Sequence, residues 1–106
     1  MVHICYQRDN HCLRLWGHAQ GGVPGKDPVC AAVSALTLTL AYNVAQLVTQ
    51  GSAEDPQIRL EAGDSGIRCS SRGKNTPVVM LIFDTVCAGF ALLQSLYPDR
   101  VEYRIL

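Results

Sequence analysis

The sequence carries no net charge of either sign. Nine Lys or Arg residues balance nine Asp or Glu residues, so the formal charge at neutral pH is zero. A protein that binds nucleic-acid phosphates or anionic membranes through its overall charge needs a basic excess, which this chain lacks. The balance therefore predicts no direct nucleic-acid partner and no membrane partner.

Other signals of specialised protein classes are also missing. The chain contains no low-complexity segment, and its 48% hydrophobic residues indicate a compact globular domain, with a low charged fraction of 17%. No N-terminal signal segment is predicted, because His3, Arg8 and Asp9 interrupt the opening strand. A chain of 106 residues has room for one hydrophobic core, so we predict a single domain spanning residues 1–106.

Cysteine is the residue type that stands out. Five cysteines cannot all pair within one chain, and free thiols in a reducing cytoplasm are the simplest interpretation. No two have the close spacing of a zinc knuckle, and alternation along the first strand disfavours a site built from His3, His11 and the two N-terminal cysteines. We therefore expect neither a metal nor another cofactor. Four cysteines are expected to be packing residues or incidental thiols: Cys5, Cys12, Cys69 and Cys87.

The sequence predicts five strands, with alternation of apolar and polar residues along the first, second and last. They cover residues 2–7, 12–16, 57–62, 67–71 and 101–105. The first two flank a short turn at 8–10, and the next two flank a turn at 63–66, so each pair should form a hairpin.

Two long helices are predicted between the strands. Asp27 is a strong N-cap, and Pro28 suits the first helical position because its missing N–H would be unpaired there. This helix should extend to about Gln50 and end at Gly51. A second helix should begin near residue 75 or 76 with the same cap-plus-proline pattern and extend to about residue 97.

The first predicted helix lies in a stretch, residues 28–53, that has no charged residue. Such a stretch raises the alternative of a membrane span. Its polar side chains, however, gather on one face at spacings of three and four, which favours the core helix of a soluble protein. They are Thr39, Tyr42, Asn43, Gln46, Thr49 and Gln50.

The order of the elements is ββαββαβ. Hairpins imply antiparallel pairing, so we predict an α+β fold in which two helices pack on one face of a mainly antiparallel sheet.

Two residues could together carry chemistry. His18 ends the second predicted strand, and Cys30 is the third residue of the first helix, where unpaired N–H groups and the helix dipole stabilise a thiolate. A neighbouring imidazole could take the thiol proton, and first-turn N–H groups could form an oxyanion hole. Gly17 would leave space for a substrate backbone. The alternative is a buried, inert Cys30 and a hydrogen-bonded His18.

The amino-acid sequence around His18 and Cys30 resembles that of a known family. Gly-His-Ala at residues 17–19, a glycine-rich loop, and Asp-Pro-Val-Cys-Ala-Ala-Val-Ser at 27–34 are similar to the ribosomal-processing cysteine protease family Prp. That family carries Gly-His-Ala, then Asp-x-Val-Cys-Ala and a following Ser. The likeness covers the whole chain in length and element order, and its specific motifs lie within residues 17–36.

The resemblance implies roles for individual residues. Cys30 matches the nucleophile and His18 the general base. Asp27 and Ser34 match residues that recur in the family: Asp27 would cap the helix and could also orient His18, and Ser34 could hydrogen-bond near the site or pack. The loop at 19–26 would be a mobile cover over the substrate, with flexibility supplied by Gly21, Gly22 and Gly25.

The resemblance also implies a substrate and a partner. Family members are homodimers that remove an N-terminal extension, ending in aromatic residues, from large-subunit ribosomal protein twenty-seven. Tyr6 and Trp16 would then either line a pocket for that aromatic end or pack in the core. The alternative function is a non-enzymatic ribosome-assembly binding module of the same fold.

Overall fold

The computed structural model describes residues 1–18 and 27–106. Within these ranges, five strands and two long helices follow one another in the predicted order. They are β1 (Val2–Gln7), β2 (Cys12–Gly17), α1 (Pro28–Thr49), β3 (Glu54–Glu61), β4 (Asp64–Ser70), α2 (Thr76–Leu96) and β5 (Val101–Ile105). Short 3-10 turns precede β2 and α2 at Arg8–Asn10 and Gly73–Asn75.

The five strands form one sheet in the order β3-β4-β2-β1-β5. Three neighbouring pairs are antiparallel, and β1 with β5 is parallel. The prediction of a mainly antiparallel sheet is therefore confirmed. The parallel pair arises because α2 connects β4 to β5 across the face of the sheet and places β5 at the edge next to β1. A helical crossover is the usual connection between parallel strands.

The core lies between one sheet face and the two helices. The register sets Ile4 opposite Leu15 on neighbouring strands, so both side chains point to the same face. Helix residues complete the buried cluster, among them Val29, Leu40, Val44, Val79, Phe83 and Phe90. Each such side chain contributes about 1.5–3 kcal/mol when it leaves water. This burial holds both helices on one face of the sheet, as predicted.

Helix α1 begins at the predicted residue and buries the predicted face. Asp27 is its N-cap and Pro28 its first residue. The six polar residues expected on one face all stay outside the buried set. The opposite stripe, which includes Leu40 and Val44, is buried against the core. By length and composition both helices could cross a membrane, a test that core helices of soluble proteins also pass.

The second hairpin is tighter than predicted. Only Ala62 and Gly63 separate β3 from β4, whereas the sequence suggested a turn over 63–66. Gly63 has φ +74, a left-handed conformation that glycine adopts readily and that lets a two-residue connection close. Asp64 and Ser65 consequently lie within β4, where they pair with β2 and β3.

One more strand boundary and one helix cap differ from the sequence prediction, while α2 starts at Thr76 as predicted. Strand β3 starts three residues early, at Glu54, because an irregularity between Glu54 and Gln57 accommodates Pro56 within the ladder. At the start of α2, Asn75 occupies the N-cap position without a side-chain capping hydrogen bond. The 3-10 turn leads directly into that helix instead.

Candidate active site

A cavity of about 640 Å³ lies where the start of α1, the end of β2 and the β3–β4 hairpin meet. Five residues that the sequence analysis singled out line it: Gly17, His18, Asp27, Cys30 and Ser34. The fold therefore brings together both ends of the motif region. Gly21, Gly22 and Gly25, which were predicted to form a flexible cover, lie outside the described residues.

His18 directly follows β2 and faces the β3–β4 hairpin. The N–H of Gly17 donates a hydrogen bond to the Gly63 carbonyl oxygen, 3.1 Å away, which fixes the backbone just before the histidine. The imidazole itself lies against Gly63: a Cβ placed on that glycine would be 2.6 Å from Nε2 and 2.8 Å from Cε1 of His18. The hairpin therefore forms one wall for the histidine ring.

The position of Gly17 leaves no room for a side chain, because the backbone of Met1 lies against its Cα. Its φ of +94 is a left-handed conformation, and a side chain there would overlap the carbonyl oxygen of Met1. The sequence suggested that this glycine leaves space for a substrate backbone. In the structure the space next to its Cα is taken by Met1, and the glycine lets β2 end where His18 can enter the cavity.

Cys30 differs from the other four cysteines in its exposure. All five thiols are free, and Cys30 is exposed, whereas Cys12 is half-buried. Cys5, Cys69 and Cys87 are buried, which confirms the prediction that these three pack in the protein. Burial raises the pKa of the Cys12 and Cys69 thiols, and it raises that of Cys87 to about 12. Three thiols are thus held in the poorly nucleophilic protonated form.

Asp27 holds the first turn of α1. Its Oδ1 accepts hydrogen bonds from the N–H groups of Val29, at 2.9 Å, and Cys30, at 3.4 Å. The N–H of Ala31 donates to the backbone oxygen of the same aspartate, and Pro28 has no N–H to offer. The first-turn N–H groups that were candidates for an oxyanion hole are therefore already bonded to Asp27.

Arg100 is a charged neighbour of the site that sequence reasoning missed. Its Nη1 lies 3.9 Å from Oδ1 of Asp27, whose side chain is only 9% exposed. The guanidinium also lies over the ring of Tyr97, 5.9 Å from its centre. Because Arg100 immediately precedes β5 and is 73 positions beyond Asp27, no local signal in the sequence connects the two.

The remaining cavity wall is largely apolar. It includes Val2, Leu15, Val33, Leu38 and Leu60. Trp16 also lines it, is 37% exposed, and stacks on the His3 ring with 5.4 Å between ring centres. Tyr6, the other aromatic candidate, is buried in the core and donates its hydroxyl to Asp84. An apolar side chain of a peptide would fit against this wall.

Comparison with a protein-family model identifies the family of this chain. The family model described as "Cysteine protease Prp" matches residues 1–102. The chain belongs to the Prp cysteine protease family. It is therefore a cysteine protease, and membership favours the enzyme over a non-catalytic binding module. Within the described residues, no group of three or more His, Cys, Asp or Glu side chains is arranged to hold a metal ion.

Solved structures share the fold over the full length of the chain. The ribosomal processing protease Prp from S. aureus, with a covalently linked product peptide, is 24% identical, with a TM-score of 0.72 over 99% of this chain and 97% of its own. SMU.848 from Streptococcus mutans is 27% identical, with a TM-score of 0.67 and coverages of 99% and 91%. The S. aureus protease with a substrate peptide is 23% identical, with a TM-score of 0.67 and complete coverage of both chains. No curated protein matches.

Proposed function

We propose that residues 1–106 act as a single cysteine endopeptidase domain that removes the N-terminal extension of large-subunit ribosomal protein twenty-seven. Cys30 is the nucleophile and His18 the general base. The observation that carries this proposal is that the exposed thiol, Cys30, lines the same cavity as the histidine at the end of β2.

The chemistry proceeds through a thioester. His18 takes the proton from Cys30, and the thiolate sulfur attacks the carbonyl carbon of the scissile peptide bond. The protonated imidazole then gives its proton to the leaving amine, and an acyl group remains on Cys30. Water, deprotonated by His18, attacks the thioester and releases the new carboxylate, with the proton returned to the sulfur.

Asp27 and Ser34 support the nucleophile in this proposal. Asp27 fixes the first turn of α1 through its hydrogen bonds to Val29 and Cys30, so it sets where the sulfur lies. Ser34 is one helical turn beyond Cys30 and lines the same cavity, so its hydroxyl can contact the bound peptide. Asp27 is at the same time close to Arg100, which balances part of its negative charge beside the thiol.

Two observations support a peptide substrate with an apolar or aromatic end. The cavity wall next to Cys30 and His18 presents Trp16, Leu38 and Leu60. The S. aureus ribosomal processing protease, which has the same fold, has been solved with a substrate peptide and with a covalently linked product peptide.

We further propose that the protease is a cytoplasmic homodimer. The outward stripe of α2 carries three leucines that are each at least 65% exposed, namely Leu81, Leu92 and Leu96. On α1, Tyr42 is also exposed. Apolar surface of this extent on two adjacent helices is typical of a protein interface. Light scattering should give twice the monomer mass, and Leu92→Glu should lower it, whereas Leu106→Glu, a C-terminal control, should not.

The central test uses a peptide that spans the junction of the extension. The wild-type protein should cleave it at one bond, and neither Cys30→Ala nor His18→Ala should produce fragments detectable by mass spectrometry. Cys12→Ala is the matched control, since it removes a half-buried thiol away from the cavity and should cleave as the wild type does. Cleavage by Cys30→Ala at the wild-type rate would refute the proposal.

A further inference from the structure

The β3–β4 hairpin touches the histidine at a position where any side chain would intrude. A Cβ on Gly63 would come within 2.6 Å of Nε2, 2.8 Å of Cε1 and 3.5 Å of Cδ2 of His18. Contacts below about 3.4 Å between such atoms are repulsive, since the attractive optimum lies at about 3.5–4.0 Å. The imidazole edge therefore occupies the volume that a methyl group on residue 63 would need.

The position of Gly63 relative to the histidine is set by the sheet. Strand β4 pairs with β2 so that Asp64 lies opposite Trp16 and Ser65 opposite Leu15. The Gly17 N–H then bonds the Gly63 carbonyl oxygen, continuing the ladder by one more step. The hairpin tip is consequently fixed against the residue that precedes His18, and it cannot retreat without breaking these pairs.

We infer that Gly63 is a positioning residue for the general base: its bare Cα forms the wall against which the imidazole of His18 rests in the cavity that Cys30 also lines. This inference rests on the proposed function, because it assigns the role of base to His18. His18 is exposed, so core packing within residues 1–18 and 27–106 does not hold its ring in one rotamer. The backbone wall supplies part of that restraint instead.

A second glycine allows the steric effect to be separated from backbone strain. Gly63 has φ +74 and Gly51, just after α1, has φ +79, so alanine is strained to a similar extent at both positions. A Cβ on Gly51 would meet nothing within 4 Å. Gly51→Ala is therefore a matched control that carries the left-handed strain without the collision.

The first experiment measures cleavage of the junction peptide by Gly63→Ala and Gly51→Ala. Because the ring must swing away from the new methyl group, Gly63→Ala should lower kcat by about 10- to 100-fold, the range expected for a misplacement near 1 Å. KM should change little, since the loss concerns the reacting groups rather than peptide binding. Gly51→Ala should retain the wild-type kcat. Equal losses in both variants, or no loss in Gly63→Ala, would overturn the inference.

The second experiment reads the histidine directly and needs no protease activity. In the NMR spectrum of the wild-type protein, the Hε1 proton of His18 should show a nuclear Overhauser effect to an α-proton of Gly63. Gly63→Ala should shift the His18 ring signals, and Gly51→Ala should leave them in place. Absence of the wild-type effect would overturn the inference even if Gly63→Ala fails to fold. If no peptide is cleaved but these NMR results are obtained, the proposed function fails while the contact stands.

Discussion

The carboxylate of Asp27 and the backbone of Cys30 are joined by a hydrogen bond of 3.4 Å from the Cys30 N–H to Oδ1. The same oxygen accepts the Val29 N–H at 2.9 Å, so one side chain satisfies two of the donors that a helix start leaves unpaired. Cys30, the proposed nucleophile, is therefore held by the cap of its own helix. A change in the cap should affect both the stability of the protein and the reactivity of the thiol.

Replacing the cap tests the stability effect. Asp27→Ala should lower the free energy of unfolding by about 0.5–2 kcal/mol, the usual loss for a capping side chain. Asp27→Asn should keep most of that free energy, because an amide oxygen also accepts hydrogen bonds from the first turn. Urea unfolding followed by circular dichroism measures both values. Equal stability of Asp27→Ala and the wild type would show that the cap contributes nothing.

Alkylation tests the difference in exposure among the five thiols. Iodoacetamide at near-neutral pH should modify Cys30 first, since the other four are half-buried or buried. Cys87 should react slowly or not at all in the folded protein, because burial raises its pKa to about 12. Peptide mapping by mass spectrometry gives the order. Modification of Cys69 before Cys30 would contradict the assignment of Cys30 as the reactive thiol.

The link between β1 and α2 provides a stability prediction remote from the site. The Tyr6 hydroxyl donates to Oδ1 of Asp84 at 2.8 Å, and the Arg8 guanidinium binds both oxygens of the same carboxylate. Because Tyr6 is buried and its partner is charged, Tyr6→Phe should cost about 1.5–3 kcal/mol of unfolding free energy. Tyr42→Phe is the control: Tyr42 is 67% exposed, and its loss should change stability by less than about 0.5 kcal/mol. Urea unfolding gives the free energy of unfolding of both variants. Equal values for Tyr6→Phe and Tyr42→Phe would contradict the prediction.

His11 should make stability depend on pH. It is 5% exposed, its Nε2 lies 2.7 Å from the Ser71 hydroxyl, and its Nδ1 has no hydrogen-bond partner among the described residues. Burial lowers the pKa of His11 below its ordinary value of 6.5. In the window below 6.5 the unfolded chain therefore binds a proton that the folded protein does not, and the unfolding free energy falls as the pH falls. Above pH 6.5, His11 is neutral in both states and its contribution to the unfolding free energy is constant.

A variant isolates that contribution from the other titrating groups. His11→Asn does not titrate, and asparagine tolerates the left-handed conformation that His11 adopts, with φ 47. Unfolding free energies measured from pH 7.5 to 5.5 should fall more steeply for the wild type than for His11→Asn, by up to about 1.4 kcal/mol per pH unit. Parallel curves would mean that His11 titrates alike in the folded and unfolded chains.

The type and order of the elements could be predicted because their signals are local. Alternation along β1 and the Asp27–Pro28 start of α1 need only neighbouring residues, and the structure places both where predicted. The second hairpin was misplaced because its turn depends on the φ of one glycine, Gly63, and on pairing with β2. Alternation alone does not show which residues a strand will leave for the turn.

The candidate site divides in the same way. Local sequence patterns are enough to show that a histidine follows a strand, that a cysteine begins a capped helix, and that the motifs around them resemble one protease family. Long-range packing places Arg100 beside Asp27 and Gly63 against His18. It also buries Tyr6 in the core and leaves Trp16 lining the cavity. Caps and periodicity act within a few residues, whereas these contacts exist only once the strands take their register and the helices pack on one face of the sheet.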